Sequence, residues 1–281
     1  MKKARIIIDS TCDLPSDIKE RLTVVPLTVR FGEEEYIDGL TIDYKQFYEK
    51  LIECDTLPST SQATAYAFTE VFREAVEAGE QVVMLTISAK LSGTHHSAVT
   101  AAADFPGDIF VVDGCNVSVG TGILAMLALR LADEGKSAAE IAAILEEQKE
   151  KVCVVALFDT LEYLKKGGRI SSIAAMAGGI LSIKPVITIR DGEVAILGKA
   201  RGSRQGNNFL IKEIEAAGGI DFSMPLLLGY TGLSDHLLQK YKDDSASLWQ
   251  DGTDHLDVTT IGSVVGTYAG PGAIGVSFFR K

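Results

Sequence analysis

The sequence predicts an α/β fold in two parts. Residues 1–152 read as a domain built on a mostly parallel sheet, and residues 153–281 as a mixed α+β domain with a largely antiparallel sheet. Three observations carry this. Up to about residue 150, short β-rich apolar runs alternate with stretches of helical period. After Cys153–Phe158 that rhythm stops. Two further β-rich runs, Val186–Ile189 and Glu193–Leu197, then flank Asp191-Gly192, a dipeptide suited to a tight hairpin turn.

The elements follow in order. Residues 4–8 form a first strand, ended by Asp9-Ser10-Thr11-Cys12-Asp13, and 15–22 a short helix. Val24–Phe31 is a β-rich run, followed by a turn at 32–34 and the segment Glu35–Gly39. Phe47, Leu51 and Ile52 share one face of a helix over 43–53. Residues 57–62 are extended or capping material before a helix over 64–78. Gln81–Ile87 is almost continuously apolar, as in a parallel sheet covered on both faces. Helix 92–104, strand 109–113 and helix 119–133 follow, and Ser137 caps a helix over 138–150. In the second part, short helices are expected at Leu161–Lys165 and Ser171–Gly179, then the hairpin, then a helix over 207–217. Leu226–Tyr230, His255–Thr260 and Ile274–Phe279 read as strands, with a helix at 234–242.

Composition excludes several functions. The 281 residues are 46% hydrophobic, enough for a substantial core, yet no apolar run reaches 18 residues, so no membrane span is expected. The first residues pass at once into a strand and do not read as a secretory signal. The net charge of −11 argues against a general nucleic-acid binder. Cys12, Cys54, Cys115 and Cys153 stand far apart with no CxxC pair, which fits reduced thiols and a cytoplasmic location. Charge is unevenly spread: residues 1–150 carry −12 and 151–281 carry +1. Within 165–204, eight basic groups face only Asp191 and Glu193. Such a stretch is either an ordinary solvated surface or a face for an anion or acidic partner.

Chemistry is expected where parallel strands end. Three polar segments sit there: Asp9–Asp13, Ser88–Thr94 and Asp113–Asn116. A helix starting near Ser92-Gly93-Thr94 would offer free N–H groups and hydroxyls to an anion, or Ser92 is simply its cap. Thr60-Ser61-Gln62 is a second hydroxyl cluster before a helix. The two clusters with a basic segment suit a carboxylate or phosphate head group. Neither matches a phosphate-binding Gly-x4-Gly-Lys-Ser/Thr loop, and Gly120-Thr121-Gly122 reads as close packing at a helix start rather than a dinucleotide fingerprint. Gly167-Gly168-Arg169 can turn tightly and present Arg169, and Arg201-Gly202-Ser203-Arg204 is the next basic cluster. No metal is expected: His95 and His96 are adjacent, and His236 and His255 are isolated. Cys12 reads as a buried or spectator thiol rather than a nucleophile.

These segments together resemble the DegV family of bacterial fatty-acid-binding proteins. The resemblance rests on Asp9-Ser10-Thr11-Cys12-Asp13-Leu14-Pro15, Tyr36-Ile37-Asp38-Gly39, Thr60-Ser61-Gln62 and Ile87-Ser88-Ala89-Lys90-Leu91-Ser92-Gly93-Thr94. It continues through Asp159–Ile170, with its Lys165-Lys166-Gly167-Gly168-Arg169 core, and Gly270-Pro271-Gly272-Ala273. The ordered set spans nearly the whole chain.

The resemblance implies one long-chain fatty acid held between two domains, with no cofactor. It implies a carboxylate bound by hydroxyls matching Thr60 and Ser92, with Ser61, Gly93, Thr94 and Gly270 in the same binding segments. It further implies a separate ATP-dependent fatty acid kinase that phosphorylates the presented carboxylate, contacted through Arg201, with Arg204 as the alternative match and Arg169 supporting the head group. A carrier or storage role without a kinase stays open, as does a stand-alone small-molecule phosphotransferase, and transient membrane contact is compatible with either lipid role. One departure stands out. Tyr268 occupies the place where the family commonly has a histidine. A tyrosine donates a hydrogen bond but carries no positive charge near pH 7. Carboxylate binding is expected to survive that exchange; a phosphotransfer needing a cation there would not.

Overall fold

The computed structural model describes residues 2–170, 183–249, 252–253 and 255–281. The first half runs β1 (Ala4–Asp9), α1 (Ser16–Lys19), β2 (Thr23–Val25), β3 (Thr28–Phe31), β4 (Glu34–Ile37), α2 (Tyr44–Glu53) and β5 (Ser59–Ser61). It continues α3 (Ala65–Glu77), β6 (Gln81–Thr86), α4 (Thr94–Ala102), β7 (Ile109–Asp113), α5 (Val119–Asp133) and α6 (Ala138–Gln148). The second half runs β8 (Val152–Leu157), α7 (Glu162–Lys166), β9 (Ile183–Arg190), β10 (Glu193–Arg201), α8 (Gly202–Ala216) and β11 (Leu227–Tyr230). It ends α9 (His236–Asp244), α10 (Ala246–Trp249), β12 (Asp257–Thr260), α11 (Ser263–Ala269) and β13 (Ile274–Phe279). The helix expected at 171–179 lies outside the described residues.

The α/β class and both sheet types are as expected. Strands β2-β1-β6-β7 form a sheet whose pairings are all parallel. Strands β10-β9-β8-β13-β11-β12 form a second sheet, parallel only between β11 and β12. A small antiparallel sheet, β4-β3-β5, flanks the first. Strand β6 is buried over Val82–Thr86, which explains its unbroken apolar run. No helix among the described residues is long and apolar enough to cross a membrane.

Local chemistry accounts for the boundaries. Asp43 and Ser137 each close a capping box, with Gln46 and Glu140 respectively. Asp191 (φ 51°) and Gly192 (φ 77°) are both left-handed, as a two-residue hairpin with Asn/Asp-Gly requires. The run 24–31 is not one strand. Proline at 26 has no N–H for a ladder, and the chain leaves the parallel sheet there to enter the small one. Helix α8 begins five residues before the expected 207, because Gly206 is no breaker. A Cβ on Gly206 would meet the Leu157 side chain at 2.4 Å, so this glycine serves close helix–sheet packing.

Helix α5 joins the two halves. It is buried nearly all round, as expected of a helix with no polar face. It packs on β1 on one side and on β8, β11 and β13 on the other. One continuous cluster therefore runs from Ile8 and Val83 through Leu124 and Ala128 to Val152, Leu227 and Phe279. Gly120 and Gly122 serve this packing. Added Cβ atoms would strike Asn116 and Val154 at the first, and the Asp13 carbonyl and Leu227 at the second.

Candidate functional site

The carboxylates that end the parallel strands bind the chain itself. Asp9 accepts from the Thr11 N–H at 3.0 Å and, across the sheet, from the Ile87 N–H at 2.7 Å. Asp13 accepts from Ser118 Oγ at 2.6 Å and from the Gly262 N–H at 2.8 Å. Asp113 accepts from the Ala89 and Cys115 N–H groups. Asp38 accepts from the Ser263 N–H and hydroxyl, tying the start of α11 to the first half. Burial pushes the Asp13 carboxyl up to about 7, against the pull of its hydrogen bonds to Ser118 and Gly262. Burial likewise raises Asp9. It also raises the buried Cys12 thiol, which the charges of Asp9 and Asp13 push further, so this cysteine is a poor nucleophile.

These pins shape a cavity of about 400 Å³ between the strand ends and the second sheet. Most of its wall is apolar: Leu27, Ile87, Val117, Phe158, Leu164, Val264 and Val265. Hairpin β9–β10 adds Ile187, Ile189 and Val194. Positions 187 and 189 share one face of β9, and Val194 pairs with Ile189, so one face of a two-stranded ribbon closes the apolar part. Six polar residues gather at one end, Thr60, Ser61, Gln62, Ser92, Arg169 and Tyr268, while Thr11, the other polar side chain of the described lining, is buried and donates its hydroxyl to Asp9. Ser61, Gln62, Gly93 and Arg169 are exposed, so the polar end opens to solvent.

The polar end is a linked set. Thr60 Oγ1 and the Tyr268 hydroxyl lie 2.6 Å apart. Ser92 Oγ lies 2.9 Å from Thr94 Oγ1 and accepts from the Thr94 N–H, so Ser92 does serve the start of α4. Gln62 Nε2 donates to Ser97 Oγ at 2.9 Å, and its Oε1 occupies the space a Cβ on Gly93 would take. The Arg169 guanidinium sits 4.9 Å from the Tyr268 ring centre and donates to the Gly167 carbonyl at 2.7 Å.

Of the residues singled out by sequence, Thr60, Ser61, Ser92, Gly93, Arg169 and Tyr268 line this one cavity. Thr94 is buried just behind Ser92. Gly270 is outside the lining; its φ of 67° ends α11, and Tyr163 fills the place of its missing Cβ. Arg201 and Arg204 are exposed at the start of α8 and also lie outside the lining. The apolar wall escapes the sequence reading, although the period-two spacing of 187 and 189 carries its signal. Helix α11, which presents Tyr268, escapes it too, because its Gly and Thr residues are weak helix formers. Its left-handed terminal Gly270 is the available signal.

Two glycine motifs seat each other's aromatic ring. A Cβ on Gly167 would stand 2.3 Å from Tyr268, and one on Gly270 would stand 2.3 Å from Tyr163. Gly167 has an ordinary φ of −75°, so alanine there is a purely steric change. Gly167→Ala is expected to displace the Tyr268 ring, break its bond to Thr60 and cost about 2 kcal/mol, as overpacking does. Urea unfolding gives the cost, and a crystal structure of the variant gives the ring position.

Comparison with known proteins places these features in context. The sequence profile of the DegV family, described as uncharacterised proteins, matches residues 3–281. A DegV domain-containing protein of Caldanaerobacter subterraneus is 34% identical over 290 residues, covering all of both chains. A DegV family protein from Thermus thermophilus, described by its fatty acid binding, superposes with a TM-score of 0.89. It is 33% identical over 99% of this chain and 100% of its own. A stearic acid-binding protein from Eubacterium ventriosum superposes at 0.86. It is 29% identical over 100% of this chain and 99% of its own.

Proposed function

The chain belongs to the DegV family, and from that premise we propose that it binds one long-chain fatty acid in the cavity between its sheets and presents the carboxylate to a partner kinase. The observation that carries this reading is the separation within one cavity: an apolar wall closed by the β9–β10 ribbon, and a polar end open to solvent. An acyl chain gains roughly 0.8 kcal/mol per buried CH₂, so the wall can supply most of the affinity. The carboxylate must keep its hydrogen bonds, because burying it bare is costly. Thr60, Ser92 and Tyr268 offer hydroxyls for it, and Arg169 adds a positive charge nearby. Residues 1–152 and 153–281 then act as the two domains that hold the lipid.

Titration of delipidated protein with palmitate, together with native mass spectrometry of the protein as purified from bacteria, tests the reading. No uptake and no co-purifying lipid would overturn it. Thr60→Ala and Ser92→Ala are each expected to weaken palmitate about 10-fold, the loss of one hydrogen bond to a charged group. Unchanged affinity in both would remove these hydroxyls from the carboxylate site.

The kinase half of the reading rests on the exposed polar end and on Arg201 and Arg204, which sit exposed on the basic stretch where an acidic partner can dock. In this reading the partner transfers the γ-phosphoryl group of ATP to a carboxylate oxygen of the bound fatty acid, breaking the bond from the γ-phosphorus to the bridging oxygen and releasing ADP, in the cytoplasm. Mixing loaded protein, ATP and its cognate kinase should yield acyl phosphate. Tyr268 favours a second reading, a fatty acid carrier without kinase coupling, because this position offers no cation near neutral pH. A loaded protein that gives no turnover with a competent kinase would select it.

A further inference from the structure

The segment Tyr36-Ile37-Asp38-Gly39 meets helix α11 at a point to which lipid binding alone gives no role. Asp38 is buried just past the end of β4, and its N–H donates to the Leu27 carbonyl at 3.0 Å, which carries the pairing of β4 with β3 one residue beyond the strand. Its Oδ1 accepts from both the N–H (3.3 Å) and the hydroxyl of Ser263, the buried first residue of α11. Five residues on, the Tyr268 hydroxyl lies 2.6 Å from Thr60 Oγ1 on β5. In the small sheet Val29 pairs with Tyr36 on one side and with Thr60 on the other, so β4 and β5 are its two outer strands. They stand about 10 Å apart, two strand spacings. Residues 263 and 268 are separated by about 7.5 Å along a helix axis, and side chains make up the difference. Helix α11 therefore lies across the small sheet, packed on β3 and β5, with one end tied to each outer strand. Two further ties, the Gly262 N–H to Asp13 at 2.8 Å and the Tyr48 hydroxyl to the Ile261 carbonyl at 3.1 Å, hold the chain before the helix. Of these three first-half groups, Asp38 alone grips the helix itself.

We infer that Asp38 is a positioning residue for lipid binding: by fixing the first turn of α11 against the small sheet, it sets where the Tyr268 hydroxyl stands beside Thr60. The inference rests on the fatty-acid reading above and gives the Tyr36–Gly39 segment a task within it. A seven-residue helix is too short to hold its own shape, so its ends must be held from outside. A carboxylate suits the task, because it accepts both donors of Ser263 and its charge favours a helix start. Without it the Ser263 N–H and hydroxyl lose their acceptor in a buried place, and the first turn must move to find another. The far end of the helix has little tolerance. A hydroxyl pair at 2.6 Å ceases to be a hydrogen bond once it opens by about 1 Å.

The test is a double-mutant cycle on delipidated full-length protein titrated with palmitate. Asp38→Ala and Tyr268→Phe should each weaken palmitate about 10-fold. Because Asp38 acts through Tyr268, adding Asp38→Ala to Tyr268→Phe should change the affinity by less than about twofold. Asp38→Asn keeps an acceptor oxygen for Ser263 and should stay within about threefold of the wild type. Urea unfolding checks that each variant is folded. If Asp38→Ala does not fold, Ser263→Ala, which removes one of the two bonds, takes its place in the cycle. Losses that multiply in the double variant, or a lowered urea midpoint with unchanged palmitate affinity, would overturn the positioning role and leave fatty-acid binding in place. A wild type that takes up no palmitate would overturn the fatty-acid reading, and the role of Asp38 with it.

Discussion

Val194→Trp is expected to weaken palmitate binding by roughly 100-fold without unfolding the protein. Val194 is half-buried on β10, with its side chain on the face that closes the apolar cavity beside Ile187 and Ile189. Tryptophan suits a strand, and the void of about 400 Å³ gives the indole somewhere to go, so the substitution fills space rather than forcing a packed core apart. An acyl chain denied room for about four methylenes loses about 3 kcal/mol, which is the source of that factor. Titration of delipidated protein reads the affinity, and urea unfolding reads the fold. Full affinity in a stably folded Val194→Trp would move the acyl chain out of this cavity altogether. The contrast with Thr60→Ala and Ser92→Ala is informative: those trim the polar end, whereas Val194→Trp strikes at the main source of affinity.

The second large effect is on stability. The Asp13 carboxyl is held up to about 7 by burial, far above the value of roughly 3.9 it has in an unfolded chain. Between those values the folded protein binds the proton more tightly than the unfolded one. Its contribution to stability is complete below about pH 4 and is lost as pH rises to about 7. The full span corresponds to a change on the order of 4 kcal/mol. An asparagine side chain in its place would keep the shape, with an oxygen to accept from the Gly262 N–H and an amide group to donate to Ser118 Oγ. Asp13→Asn is therefore expected to raise the urea midpoint at pH 8 and to flatten its fall between pH 5 and pH 8. Asp9, also raised by burial, is present in both proteins and cancels in the comparison. Parallel pH profiles would show that Asp13 does not titrate in this range.

Much of this fold is legible in the chain. The parallel sheet follows from strand–helix alternation, the hairpin from Asp191-Gly192, and helix α6 from the Ser137 capping box. These are local signals, and local physics decides them. Other features are decided by contacts across the chain. The strand break at residue 26 and the continuation of α8 through Gly206 both depend on where the chain meets a second sheet or the Leu157 side chain. The site divides in the same way. Thr60, Ser92 and Arg169 announce themselves as polar groups at helix starts and tight turns. Ile187, Ile189 and Val194 are ordinary strand residues until the hairpin folds over the strand ends. Gly270 stands in a motif beside the site, yet what it holds is the ring of Tyr163.

Helix α5 sets a limit on how the molecule can come apart. Its apolar surface is divided between β1 on one side and β8, β11 and β13 on the other. Pulling the halves apart would strip one side of the helix and expose Leu227 and Phe279 to water at the same time. Melting either sheet would strip one side of this shared helix, so heat and denaturant are expected to meet a single cooperative unit, which calorimetry checks as one transition. Opening the halves like a book would therefore carry the full cost of wetting that shared surface.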